Sequence, residues 1–90
     1  MKEIECTITG RVQMVMYRAY VERKAKKFGL VGTVKNSEDG SVEVVAQGDE
    51  TMLKNLIGTL KHGSLFSKVE HVAVTWKEPI LSFKDFSIVY

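Results

Sequence analysis

Apolar and polar residues alternate through residues 3–9, with Ile4, Cys6 and Ile8 set against Glu5, Thr7 and Thr9. A period of two predicts a strand with one buried face, and Gly10 is read as its end. From about Arg18 to Phe28 the spacing becomes helical: Val21, Ala25 and Phe28 share a face, while Glu22, Arg23, Lys24, Lys26 and Lys27 cover much of the rest. Gly29 fits the left-handed stop of such a helix. Val31 to Asn36 and Ser41 to Gln47 read as two strands around Ser37-Glu38-Asp39-Gly40, where Asp-Gly supplies the positive φ of a hairpin turn.

A second helix opens at Gly48-Asp49-Glu50-Thr51, with Asp49 as its cap and Met52, Leu53, Leu56, Ile57 and Leu60 as its apolar stripe. Lys61, His62 and Gly63 form its expected ending. Residues 69–76 return to strand character, Pro79 marks a connection, and Phe86 to Tyr90 supplies a short last strand. The order is βαββαβ with a short strand added. Two helices on one face of an antiparallel sheet would bury every stripe, which is the ferredoxin-like α+β sandwich. One domain is expected over residues 1–90.

Charge and composition narrow the partners. A formal net charge of +2 with interleaved signs implies no nucleic-acid surface. The first and third strands also lack the aromatic platform on which single-stranded RNA would stack. Cys6 is the single cysteine, so the chain can form neither an internal disulfide nor a cysteine metal cage, and a reducing cytoplasm is the expected location. Its alternation with Ile4 and Ile8 marks it as a packed thiol rather than a nucleophile. No apolar run reaches transmembrane length and no signal peptide is expected. His62 and His71 stand too far apart for metal-ligand spacing.

The stretch Gly10-Arg11-Val12-Gln13-Met14-Val15-Met16-Tyr17-Arg18 carries the candidate chemistry. It leads into a helix with an arginine where the helix dipole favours an acid, and no Ser, Thr, Asp or Asn in residues 13–17 can cap the first N–H groups. A bound phosphate or carboxylate would satisfy them. Taken alone, Arg18 reads as a surface side chain and Asn36 as a turn residue.

Together with Gly32-Thr33-Val34-Lys35-Asn36-Ser37-Glu38-Asp39-Gly40-Ser41-Val42 and Gly48, this stretch resembles the two signatures of the acylphosphatase family, and the closing Phe86-Ser87-Ile88-Val89-Tyr90 is similar to its usual tail. The resemblance implies hydrolysis of acyl phosphates to carboxylate and inorganic phosphate without metal or organic cofactor; a monomer with no nucleic-acid or membrane partner is expected. It assigns phosphate binding to the loop Gln13, Met14, Val15, Met16, Tyr17 and Arg18, chiefly through backbone N–H groups and the Arg18 side chain. Asn36 falls on the residue that positions the attacking water.

Three positions depart from the family pattern. Met14 stands where glycine is usual, Met16 where a small residue is common, and Tyr17 replaces phenylalanine. A methionine held at a glycine conformation costs about 1–3 kcal/mol, and two methionines have the bulk to narrow a phosphate cradle. The alternative expectation is therefore a phosphate- or acyl-phosphate-binding module with impaired or lost catalysis.

Overall fold

The computed structural model describes all residues from Met1 to Tyr90. Its elements are β1 (Lys2–Arg11), α1 (Tyr17–Lys27), β2 (Val31–Asn36), β3 (Val42–Gly48), α2 (Glu50–His62), β4 (Lys68–Lys77) and β5 (Phe86–Val89). The sheet order is β4-β1-β3-β2-β5. The first four strands pair antiparallel, as expected. The added strand does not: β5 lies parallel to β2, so the sheet is mixed.

Both helices pack on one face of the sheet. Ile4, Cys6 and Ile8 from β1, Val34 from β2 and Val42, Val44 and Ala46 from β3 meet Val21 and Ala25 of α1 and Leu53, Leu56 and Leu60 of α2 in one core. Met52 and Ile57 flank it half-buried. Cys6 lies inside this layer, where burial pushes its thiol up to about 12 and leaves it unreactive near neutrality. On the other face, Glu3 and Gln47 are buried beneath the connection after β4, and the Gln47 amide donates to Glu3 Oε1 at 2.8 Å and to the Leu81 carbonyl.

Gly10 does not end β1. The strand runs on to Arg11 through a register shift against β4 between Thr9 and Gly10. Gly10 takes φ +124 there, and a Cβ would collide with the Lys68 carbonyl oxygen. A glycine that sequence reads as a stop is here a bulge, which bends the strand and re-aims the loop beyond it. The hairpin turn forms as expected, with Gly40 at φ +93 and its N–H donating to the Ser37 carbonyl at 3.2 Å. No helix is long and apolar enough to cross a membrane.

Candidate active site

Past the bulge, the chain is pinned at two buried residues, Val12 and Tyr17, and has no regular structure between them. The Tyr17 hydroxyl donates to the Leu60 carbonyl at 2.9 Å, which meets the need of a buried tyrosine in place of phenylalanine. Between the anchors, Met14 and Met16 adopt φ 59 and φ 61. The left-handed conformation costs a residue with a side chain about 1–2 kcal/mol, so the loop has the backbone that glycine would favour, with methionine in it. The two residues are 98% and 78% exposed, and both border the groove beside Arg18.

The loop ends in an uncapped helix. Met16 occupies the cap position without a side-chain hydrogen bond, and the first turn of α1 holds no acid. The first backbone bond of the helix runs from the Tyr20 N–H to the Met16 carbonyl at 3.1 Å, and no backbone carbonyl accepts from the N–H groups of residues 13–19. Arg18 stands among these donors and joins none of the four ion pairs, which link Lys2 with Glu78, Lys26 with Glu22, Lys54 with Glu50 and Lys77 with Glu5. Its guanidinium carbon lies 4.7 Å from the centre of the Tyr90 ring. Stacking steadies the plane of the guanidinium and leaves the N–H groups on its edges available. Arg18, Met14, Met16 and Tyr90 border a groove of about 370 Å³. Donors without internal acceptors, at the positive end of a helix, make this a candidate anion site.

Asn36 ends β2 opposite Val42 and, by strand alternation, shares the inner face with buried Val34. Its Oδ1 is buried without a hydrogen-bond partner. Asn36 does not border the Arg18 groove; it lines a separate polar hollow around the β2–β3 turn with Thr7, Ser37 and Ser41.

What joins the two regions is Gln13. Its Nε2 donates to the Ser37 carbonyl at 2.7 Å and to the Ser41 carbonyl at 2.9 Å. Both amide hydrogens are thereby used. The Gln13 side chain holds the turn beside Asn36, and only its backbone N–H remains for an anion. Nothing in the local sequence distinguishes this strap from an ordinary loop glutamine. The turn is braced further by Asp39, whose carboxylate accepts from the Ser41 N–H at 3.0 Å and the Ser41 hydroxyl at 2.6 Å; these bonds hold it below the ordinary carboxylate range. No three His, Cys, Asp or Glu side chains are grouped to hold a metal ion, and His62 and His71 lie exposed at the end of α2 and on β4.

The family model for acylphosphatase matches residues 4–88. An acylphosphatase from Bacillus subtilis strain 168 is 41% identical over 90 residues, which span 100% of this chain and 99% of the relative. One from Caldanaerobacter subterraneus subsp. tengcongensis is 44% identical over 87 residues, spanning 97% of each chain. The crystal structure of acylphosphatase from Bacillus subtilis superposes with a TM-score of 0.97 at 41% identity, covering 100% of both chains.

Proposed function

Because this chain belongs to the acylphosphatase family, we propose that it hydrolyses the carboxyl–phosphate bond of acyl phosphates, with Arg18 and the loop N–H groups holding the phosphate and Asn36 orienting the water. The observation that carries this reading is the set of donors without an internal acceptor: the N–H groups of residues 13–19 and the unpaired Arg18. Phosphoryl transfer needs the equatorial oxygens neutralised and the nucleophile held in line, and these groups supply the first requirement. Asn36 is the residue proposed for the second: its Oδ1, unpartnered but buried, has to turn towards the anion to accept a hydrogen from water and leave an oxygen lone pair free to attack phosphorus.

Water oxygen bonds to phosphorus, the bond from phosphorus to the acyl oxygen breaks, and the carboxylate leaves with its electron pair while the water proton passes to solvent. The conjugate acid of that leaving group has a pKa of roughly 4, so no general acid is required at neutral pH. A phosphate monoester would expel a far more basic alkoxide, for which neither Arg18 nor Asn36 provides a proton.

The second reading, a binder with impaired catalysis, rests on the left-handed backbone of Met14 and Met16. If the loop relaxes from that conformation, its N–H donors lose their aim, and a single misplaced donor costs roughly a hundredfold in rate. Benzoyl phosphate hydrolysis in the presence of EDTA separates the readings. Turnover by the wild type that disappears in Arg18→Ala supports the enzyme; an inert wild type beside an active Met14→Gly supports the binder. Asn36→Ala is expected to lower kcat about a hundredfold and leave inhibition by inorganic phosphate within about twofold. Equal damage to both parameters would remove Asn36 from its role.

A further inference from the structure

Met14 and Met16 carry a cost that nothing around them offsets. Both hold a left-handed backbone, which a buried methionine could partly compensate by packing. Neither joins the core, and both stand exposed beside Arg18. What these two positions bring to the groove is a pair of accessible thioethers.

The groove itself is short of acceptors. Arg18 is its one charged residue, no carboxylate, amide or aliphatic hydroxyl borders it, and the Tyr17 hydroxyl is committed to the Leu60 carbonyl. The guanidinium and the N–H groups of residues 13–19 are donors for which the chain supplies no internal partner. A thioether sulfur accepts too weakly to answer them. A sulfoxide differs: its oxygen is a polar acceptor carried on the same flexible side chain.

We propose that Met14 and Met16 are a reversible oxidation site, at which peroxide makes sulfoxides whose oxygens accept from Arg18 and the free N–H groups and so compete with phosphate. The inference rests on the reading of these donors as an anion site and is independent of catalysis. In the step itself, the sulfur lone pair attacks one oxygen of hydrogen peroxide, an S–O bond forms and the O–O bond breaks. The sulfur is oxidised by two electrons, and the peroxide is reduced to one water that takes up both protons. A tethered acceptor has a high effective concentration at the site, which lets a neutral oxygen hinder a free anion.

The chain holds its own controls. Met1 is 75% exposed but lies at the far end of β1, about 30 Å of extended strand from the loop. Met52 flanks the core half-buried on α2, where its sulfur accepts from Asn55 Nδ2 at 3.7 Å.

The test oxidises the protein in steps with hydrogen peroxide, locates the sulfoxides by peptide mass spectrometry and measures inorganic phosphate binding by calorimetry. Met14 and Met16 should oxidise about fivefold faster than Met52. The phosphate dissociation constant should rise about tenfold as they convert, with the stoichiometry unchanged, and should return after treatment with methionine sulfoxide reductases. In the double variant Met14→Leu with Met16→Leu, which keeps the side-chain bulk without sulfur, peroxide should oxidise Met1 and leave the affinity where that variant began. An affinity unmoved by conversion of Met14 and Met16, a loss that follows Met1 or Met52 instead, or a fall in stoichiometry that reports unfolding overturns the proposal. The staged oxidation of the wild type decides the matter even where the double variant fails to fold. Unoxidised wild type that binds no phosphate would end the anion-site reading as well, whereas intact, peroxide-sensitive binding without hydrolysis of acyl phosphates would sink only the catalytic one.

Discussion

At the start of α2, Asp49 turns its carboxylate back to accept from the Thr51 N–H at 3.1 Å, and Glu50 adds a second negative charge in the first turn. At the start of α1 the cap position is Met16, no side chain bonds the free N–H groups, and Arg18 stands where the dipole would prefer an acid. One helix end is closed by its own sequence and the other is left open. A side-chain cap contributes about 0.5–2 kcal/mol, so α1 forgoes ordinary stabilisation and also holds two methionines in a conformation that costs more. The difference teaches where this fold keeps its unspent hydrogen-bonding capacity: at the end proposed to meet the anion, while the helix behind it is finished in the usual way.

The largest test of this contrast removes the charge. Arg18→Ala should lower kcat/KM for an acyl phosphate about a thousandfold and raise the inhibition constant for inorganic phosphate as well, since in the proposed mechanism the guanidinium binds the same oxygens in ground and transition states. Next in size is the strap between the open helix end and the Asn36 turn. Gln13→Met keeps the shape of the side chain but removes both donors, and kcat should fall about tenfold with phosphate inhibition within about twofold. Its effect should also shrink in an Asn36→Ala background if the strap acts through that residue; full additivity would show a merely structural contact. Closing the open end with its own carboxylate is a milder change. Met16→Asp should weaken phosphate inhibition about fivefold while leaving the melting temperature at or above that of the wild type.

The reciprocal change at the closed end should leave catalysis untouched. Asp49→Ala is expected to cost about 1 kcal/mol, a fall in melting temperature of about 4–8 °C for a domain of this size, with kcat and KM unaltered. A loss of activity there would mean that the two helix ends are not independent. The smallest effect belongs to Asp39. Its bonds to Ser41 lower its carboxyl in the folded state, so the stability they add is present above the ordinary carboxylate value of roughly pH 4 and fades as pH falls through the lower folded value. The melting temperatures of wild type and Asp39→Asn should accordingly converge in acid and separate towards neutrality.

The parts of the fold that were legible in the sequence carry their instructions locally. The β2–β3 turn is written in Asp39 and Gly40, and α2 in Asp49 and the stripe that ends at Leu60, so both were expected where they occur. What escaped depends on distant strands. Gly10 reads as a stop because only the approach of the Lys68 carbonyl makes it a bulge, and the parallel pairing of β5 with β2 has no local signature. In the site, the open start of α1 followed from the missing cap, whereas Asn36 became a candidate only through its resemblance to a family motif. Gln13 was opaque for a simpler reason: an amide that bonds two carbonyls has meaning only once its neighbours are known.

The central place of β1 also bears on how the chain acquires its site. Its register sets Glu3 against Gln47 on one side and against Lys77 on the other, so the strand that launches the candidate phosphate loop is completed only once β3 and β4 have been gathered. Such pairings close long loops before any contact compensates the lost entropy, which slows folding relative to a helical domain of equal length. During synthesis the loop and Arg18 emerge early, but the bulge at Gly10 that aims them needs β4. The nascent chain carries the motif long before it has a binding site, and the capacity to hold an anion should arrive late, together with cooperative folding.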